Sequence, residues 1–140
     1  MKNSLVFVVL LVLTVLTACK DNKGAASEND IDAARNFIQA ALNGDFDKAR
    51  TYMVNDSANI NDLYQVQRLG ERLSPDEKQK YREASIHIHE TREVNDSTSI
   101  IVYSNSYKNR QDSLKVVRLN NEWLVDFKYI FRHATDSLPK

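Results

Sequence analysis

Ala84-Ser85-Ile86-His87-Ile88-His89-Glu90-Thr91-Arg92 is the stretch in which this chain changes character. Ala84, Ile86 and Ile88 fall on one side of a two-residue period, with Ser85, His87, His89 and Thr91 on the other. That alternation predicts a β-strand with one buried face. Before it, the apolar residues recur at the three-and-four spacing of helices. After it come β-branched and aromatic runs broken by polar turns. Helices followed by a meander of antiparallel strands define the α+β class, with N-terminal helices packed on a curved four-stranded antiparallel sheet.

Working back from this stretch, Asn29 or Asp30 can cap a helix carrying Ile31, Ala34, Phe37, Ile38, Ala41 and Leu42 on one stripe. Gly44 supplies the left-handed residue that ends it. Asp45 caps a second, short helix with Phe46, Ala49, Tyr52 and Met53 inside. Residues 55–61 are polar and read as a loop. A third helix is expected over 62–73, with Leu63, Val66, Leu69 and Leu73 inside. Ser74-Pro75-Asp76-Glu77 is a capping box with proline at the first helical position, so a fourth helix starts there and ends near Arg82.

Working forward, strands are expected over 99–107, 113–119 and 122–130, the last with Trp123, Val125 and Phe127 on one face. Asn120-Asn121 can both adopt positive φ, as a two-residue hairpin requires. Asp126, opposite Trp123 and Val125, is then expected to face water.

At the other end, Leu16-Thr17-Ala18-Cys19 follows an apolar run from Leu5 to Leu16 with Lys2 before it. Twelve residues are too few for a spanning helix, which needs roughly 20. They suit a secretory h-region. The tetrad resembles the bacterial lipobox, which implies cleavage before Cys19 and acylation of its thiol and amino group. Cys19 is the only cysteine, so neither a disulfide nor a catalytic thiol remains. The expected organisation is a signal peptide over 1–18, a flexible tether over 19–28, one domain over 29–131 and a tail over 132–140. Lys20-Asp21 partly resembles the surface-export signal of Bacteroidetes lipoproteins. The expected location is the outer membrane, reached through the N-terminal lipid, with a surface-exposed position as an option.

Formal charge is +0, and there is no basic tract interleaved with aromatics, which argues against nucleic acid as a partner. Asn43-Gly44-Asp45-Phe46, with Ala49 following, resembles the opening of nuclear-transport-factor-two-like domains. Asn120-Asn121-Glu122-Trp123-Leu124-Val125 resembles their closing hairpin, with Asn-Asn where glycine is usual. The likeness extends to lumazine-binding-protein-like lipoproteins of that superfamily. It implies a cone with a pocket at its open end.

Phe37, His87, Tyr103, Trp123 and Phe127 are the candidate lining of such a pocket. The same aromatics also serve as the packed core that a domain of this size needs. His87 and His89 share a strand face and offer two imidazoles, but no third ligand stands near them, so no metal and no cofactor is expected. The resemblance also brings in ketosteroid isomerases, which set a carboxylate and a tyrosine in an apolar pocket. Asp126 or Asp112 with Tyr103 would be the counterparts. No catalytic residue is assigned. The expected function is a lipid-anchored, non-catalytic domain that binds a small ligand or an envelope protein. A small acid/base pocket enzyme and an assembly subunit forming a homodimer through its sheet are the alternatives.

Overall fold

The computed structural model describes residues 26–130. The leader, Cys19, residues 19–25 of the tether and the tail 132–140 lie outside the described residues. The architecture is α+β: helices α1 (Asp30–Leu42), α2 (Phe46–Thr51), α3 (Ser57–Glu71) and α4 (Pro75–Arg82) precede strands β1 (Ile86–Asn95), β2 (Thr98–Asn105), β3 (Asp112–Leu119) and β4 (Glu122–Asp126). The strands form one antiparallel meander in the order β1-β2-β3-β4. Among the described residues no helix is long and apolar enough to cross a membrane.

The helix ends follow local chemistry. Asn29 accepts from the Asp32 N–H and caps α1. Gly44, at φ 75°, ends it, and the Asp45 N–H reaches back to the Ala40 carbonyl at 2.9 Å. Asp45 then caps α2 through the Lys48 N–H at 3.0 Å. A cap of this kind contributes about 1 kcal/mol. Ser74 and Glu77 form the expected capping box on α4.

α1 is the central helix. It touches α2 on one side and lies across the sheet on the other. Its buried face is wider than the expected stripe and includes Ala33 and Ala40, because it is covered from two directions. Phe37 and Ile38 meet Ile101, Leu114, Val116 and Val125 in one apolar core. Asn120 and Asn121 take φ 49° and 68°, and close the β3–β4 hairpin.

Four expectations are corrected. The polar segment 55–61 is not a loop, because Asp56 caps α3 and helix begins at Ser57. Leu69 is not inside α3's packed face but 62% exposed. β4 stops at Asp126, and residues 128–130 are already helical. Thr91 leaves the face of His87. A bulge between Ile88 and Glu90 shifts the register, so Thr91 stands opposite Ile101 on the core side while His87 stands opposite Ser104. β4 is an edge strand, and residues 52–54 blunt that edge in parallel: the Val125 N–H donates to the Tyr52 carbonyl and the Val54 N–H to the Val125 carbonyl.

Candidate functional site

Cross-strand pairing fixes what the helix-facing side of the sheet presents from end to end. Tyr103 stands opposite Asp112, Ile101 opposite Leu114, Val116 opposite Val125 and Arg118 opposite Trp123. The middle of this face is covered by α1. Among the described residues nothing fills the Tyr103–Asp112 end, because α3 packs mainly on α2 rather than over the sheet. A cavity of about 750 Å³ opens there. This is the size range of small-molecule sites.

Its inner wall is apolar, built by Phe37, Leu42, Phe46, Leu63, Phe127 and Ile130. Phe37 and Phe127 meet at 5.0 Å between ring centroids, tilted by 49°. Tyr103 adds a phenol. Its ionisation is pushed well above the ordinary tyrosine range by burial first and by the charge of Asp112 second, so it stays a neutral donor. The rim is charged: Lys78, Arg82, Lys108 and Arg110 border it together with Glu71 and Asp112. Lys108 is held over the rings of Tyr107 and Tyr81 at 5.1 and 5.9 Å, and these two rings meet edge to face at 4.8 Å. Lys78 donates to the Glu71 carbonyl at 3.2 Å.

Of the pocket residues expected from the sequence, Phe37, Tyr103 and Phe127 stand together in this cavity. Trp123 stands six residues of β3 away, from the level of Asp112 to that of Arg118. At a rise of about 3.3 Å per residue this is roughly 20 Å. There it is half-buried under Arg118 and borders a second depression with Tyr52 and Met53. His87 is exposed on the opposite face of β1, since it alternates with Ile86 and Ile88. His89 lies beside Ser104, with its Nε2 2.8 Å from the hydroxyl oxygen. Among the described residues no group of three metal-ligating side chains occurs.

Asp126 corrects a further expectation. It is 8% exposed rather than turned to water. The Lys128 ammonium lies 2.9 Å from it, the Asn59 amide donates to it at 3.2 Å, and Lys115 approaches to 3.4 Å. Burial pushes the Asp126 carboxyl up. The hydrogen bonds from Lys128 and Asn59, with the charges of Lys128 and Lys115, outweigh burial and hold it below the ordinary carboxylate range. Asp56 belongs to the same group. The Asn59 N–H, then the Lys128 ammonium at 2.7 Å, bring its carboxyl down to about 2. Asn59 is fully buried, and its side-chain oxygen accepts from the Lys128 N–H at 2.9 Å. This cluster ties the start of α3 to the end of β4. Asp112, not Asp126, is the carboxylate that accompanies Tyr103.

The rim cations were missed by sequence reasoning, because Arg82 and Arg110 lie 28 positions apart on a helix end and a turn (110 minus 82). The one signal available was the clustering of Lys108 and Arg110 in a turn, which is ordinary for solvated loops.

The described residues therefore define an α+β domain with an apolar cavity whose rim carries more cations than carboxylates. No protein-family model and no curated protein matches the chain. Among solved structures it is similar to an NTF-2 like protein of unknown function from Shewanella oneidensis MR-1. That likeness has 11% identity and a TM-score of 0.49, and covers 69% of this chain and 91% of the other.

Proposed function

We propose that this chain is a small-ligand-binding protein of the cell envelope, held to the membrane through lipid on Cys19, with its ligand in the cavity beside Tyr103. The observation that carries the binding role is the cavity itself: about 750 Å³ with an apolar wall in a domain small enough to need those side chains for its core. Among the described residues that apolar wall is left facing an opening, a cost that a bound ligand offsets. The lipid anchor rests on Leu16-Thr17-Ala18-Cys19 and the apolar run before it.

Native mass spectrometry on the full chain, as purified from cells, tests the binding role. A defined extra mass on the monomer, absent after denaturation, is the expected result. A clean, ligand-free dimer would replace it with an assembly role through the outer sheet face, where Val102, Val117 and Leu124 are half-buried and Leu119 is exposed. The anchor is tested separately: Cys19→Ala should abolish incorporation of labelled fatty acid. Unchanged labelling would remove the anchor from the proposal.

A further inference from the structure

The rim of the cavity says more than its wall. Four of its side chains are cationic (Lys78, Arg82, Lys108, Arg110) and two are carboxylates (Glu71, Asp112), in a chain whose formal charge is zero. Two of the four cations are occupied, Lys78 by the Glu71 carbonyl and Lys108 by the Tyr81 and Tyr107 rings. Arg82 and Arg110 have no ion pair, hydrogen bond or ring contact among the described residues. They come from separate elements, the last turn of α4 and the β2–β3 connection, and both stand solvent-exposed on the border of one opening. Neither Glu71 nor Asp112 neutralises them. Glu71 accepts from Gln67, and an Asp112 carboxylate oxygen is turned to the Ser113 N–H.

We infer that the ligand is a single-chain amphipathic anion, whose apolar body lies along Phe37, Phe46 and Phe127 and whose carboxylate- or phosphate-type head is held by Arg82 and Arg110. This rests on the proposed binding role and narrows it to a chemical class. The physical reason is pairing. A neutral apolar ligand would bring its end up to two guanidinium groups and give them nothing to bind, whereas an anionic head completes both. A planar guanidinium suits bidentate contact with carboxylate or phosphate oxygens. A cationic ligand is disfavoured by the same rim.

The test is calorimetric titration of the full chain with decanoate, decyl phosphate and decanol, which share one apolar body. An anion should bind at least about tenfold more tightly than decanol. Arg82→Gln with Arg110→Gln should bring the anion down to the affinity of decanol and leave decanol itself unchanged. Whichever of decanoate and decyl phosphate binds more tightly identifies the head. Equal affinity of all three for the unaltered chain overturns the head site and leaves the cavity reading standing. No binding of decanoate or decyl phosphate up to about 1 mM overturns the amphipathic-anion class, and the binding role then stands or falls with the native mass spectrum.

Discussion

Two groups of charges in this molecule are built in opposite ways. Asp56, Asn59, Lys115, Asp126 and Lys128 close on one another. Each carboxylate has a cation and an amide, and the buried Asn59 spends both ends of its side chain. Arg82 and Arg110 at the cavity rim close on nothing among the described residues. The first group joins two elements distant in sequence and is satisfied by the fold alone, which is the signature of a structural device. The second is exposed on the border of a cavity and unspent among the described residues, as a site for an outside partner requires. Loss of the first should damage stability and spare binding, and loss of the second should do the reverse.

The largest effect is expected from Asn59→Leu. It keeps the branched shape but strands the Lys128 N–H and removes a donor from both carboxylates. A loss of about 2–3 kcal/mol is expected in urea unfolding. A loss under about 0.5 kcal/mol would mean that the network is ornamental. Trp123→Ala follows. Because Trp123 is only half-buried, the loss should be about 1–2 kcal/mol, well short of the 3–5 kcal/mol of a full aromatic core deletion.

Acid sensitivity comes next. Asp56 and Asp126 are both held below their ordinary values in the fold, so their stabilisation is complete above about pH 4. It is lost as pH falls from there toward about 2, where Asp56 takes up its proton. Lys128 is lifted by its hydrogen bonds to Asp56 and Asp126, so its share is complete below its ordinary 10.5 and is lost as pH rises from there through the raised value. Thermal melts between pH 5 and pH 2 should fall steeply for the native chain and less steeply for Asp56→Asn. Parallel curves would place the acid loss in other carboxylates.

The smallest stability effect belongs to Arg82→Gln with Arg110→Gln, within about 0.5 kcal/mol in the same unfolding assay. A larger loss would turn the rim into a second structural cluster and erase the contrast with Asn59.

The contrast also marks how far the amino-acid order can be read. Caps and turns were legible because their causes are local. Asn29, Asp45 and Ser74 each bond an N–H within three residues, Gly44 takes the left-handed position that ends α1, and Asn120-Asn121 close a hairpin between adjacent strands. Phe37, Tyr103 and Phe127 were legible as a group because aromatic residues on inward faces have few places to go. The start of α3 was hidden because residues 57–61 look like a polar loop until Asn59 finds Asp126 and Lys128, both more than 60 positions away. The faces of β1 were hidden by a bulge, which period-two counting cannot see.

The sequence by itself determined the element types, most helix ends, the α+β order and the residues that must be buried, since each depends on neighbours within a turn or a strand. Only the tertiary structure decided that Asp126 turns inward to a salt-bridged cluster, that Trp123 and Tyr103 stand at opposite ends of one face, and that α3 stands off the sheet to leave a cavity edged by Arg82 and Arg110. These outcomes depend on register and on how helices lean across a sheet, which are set by contacts between residues far apart in the chain.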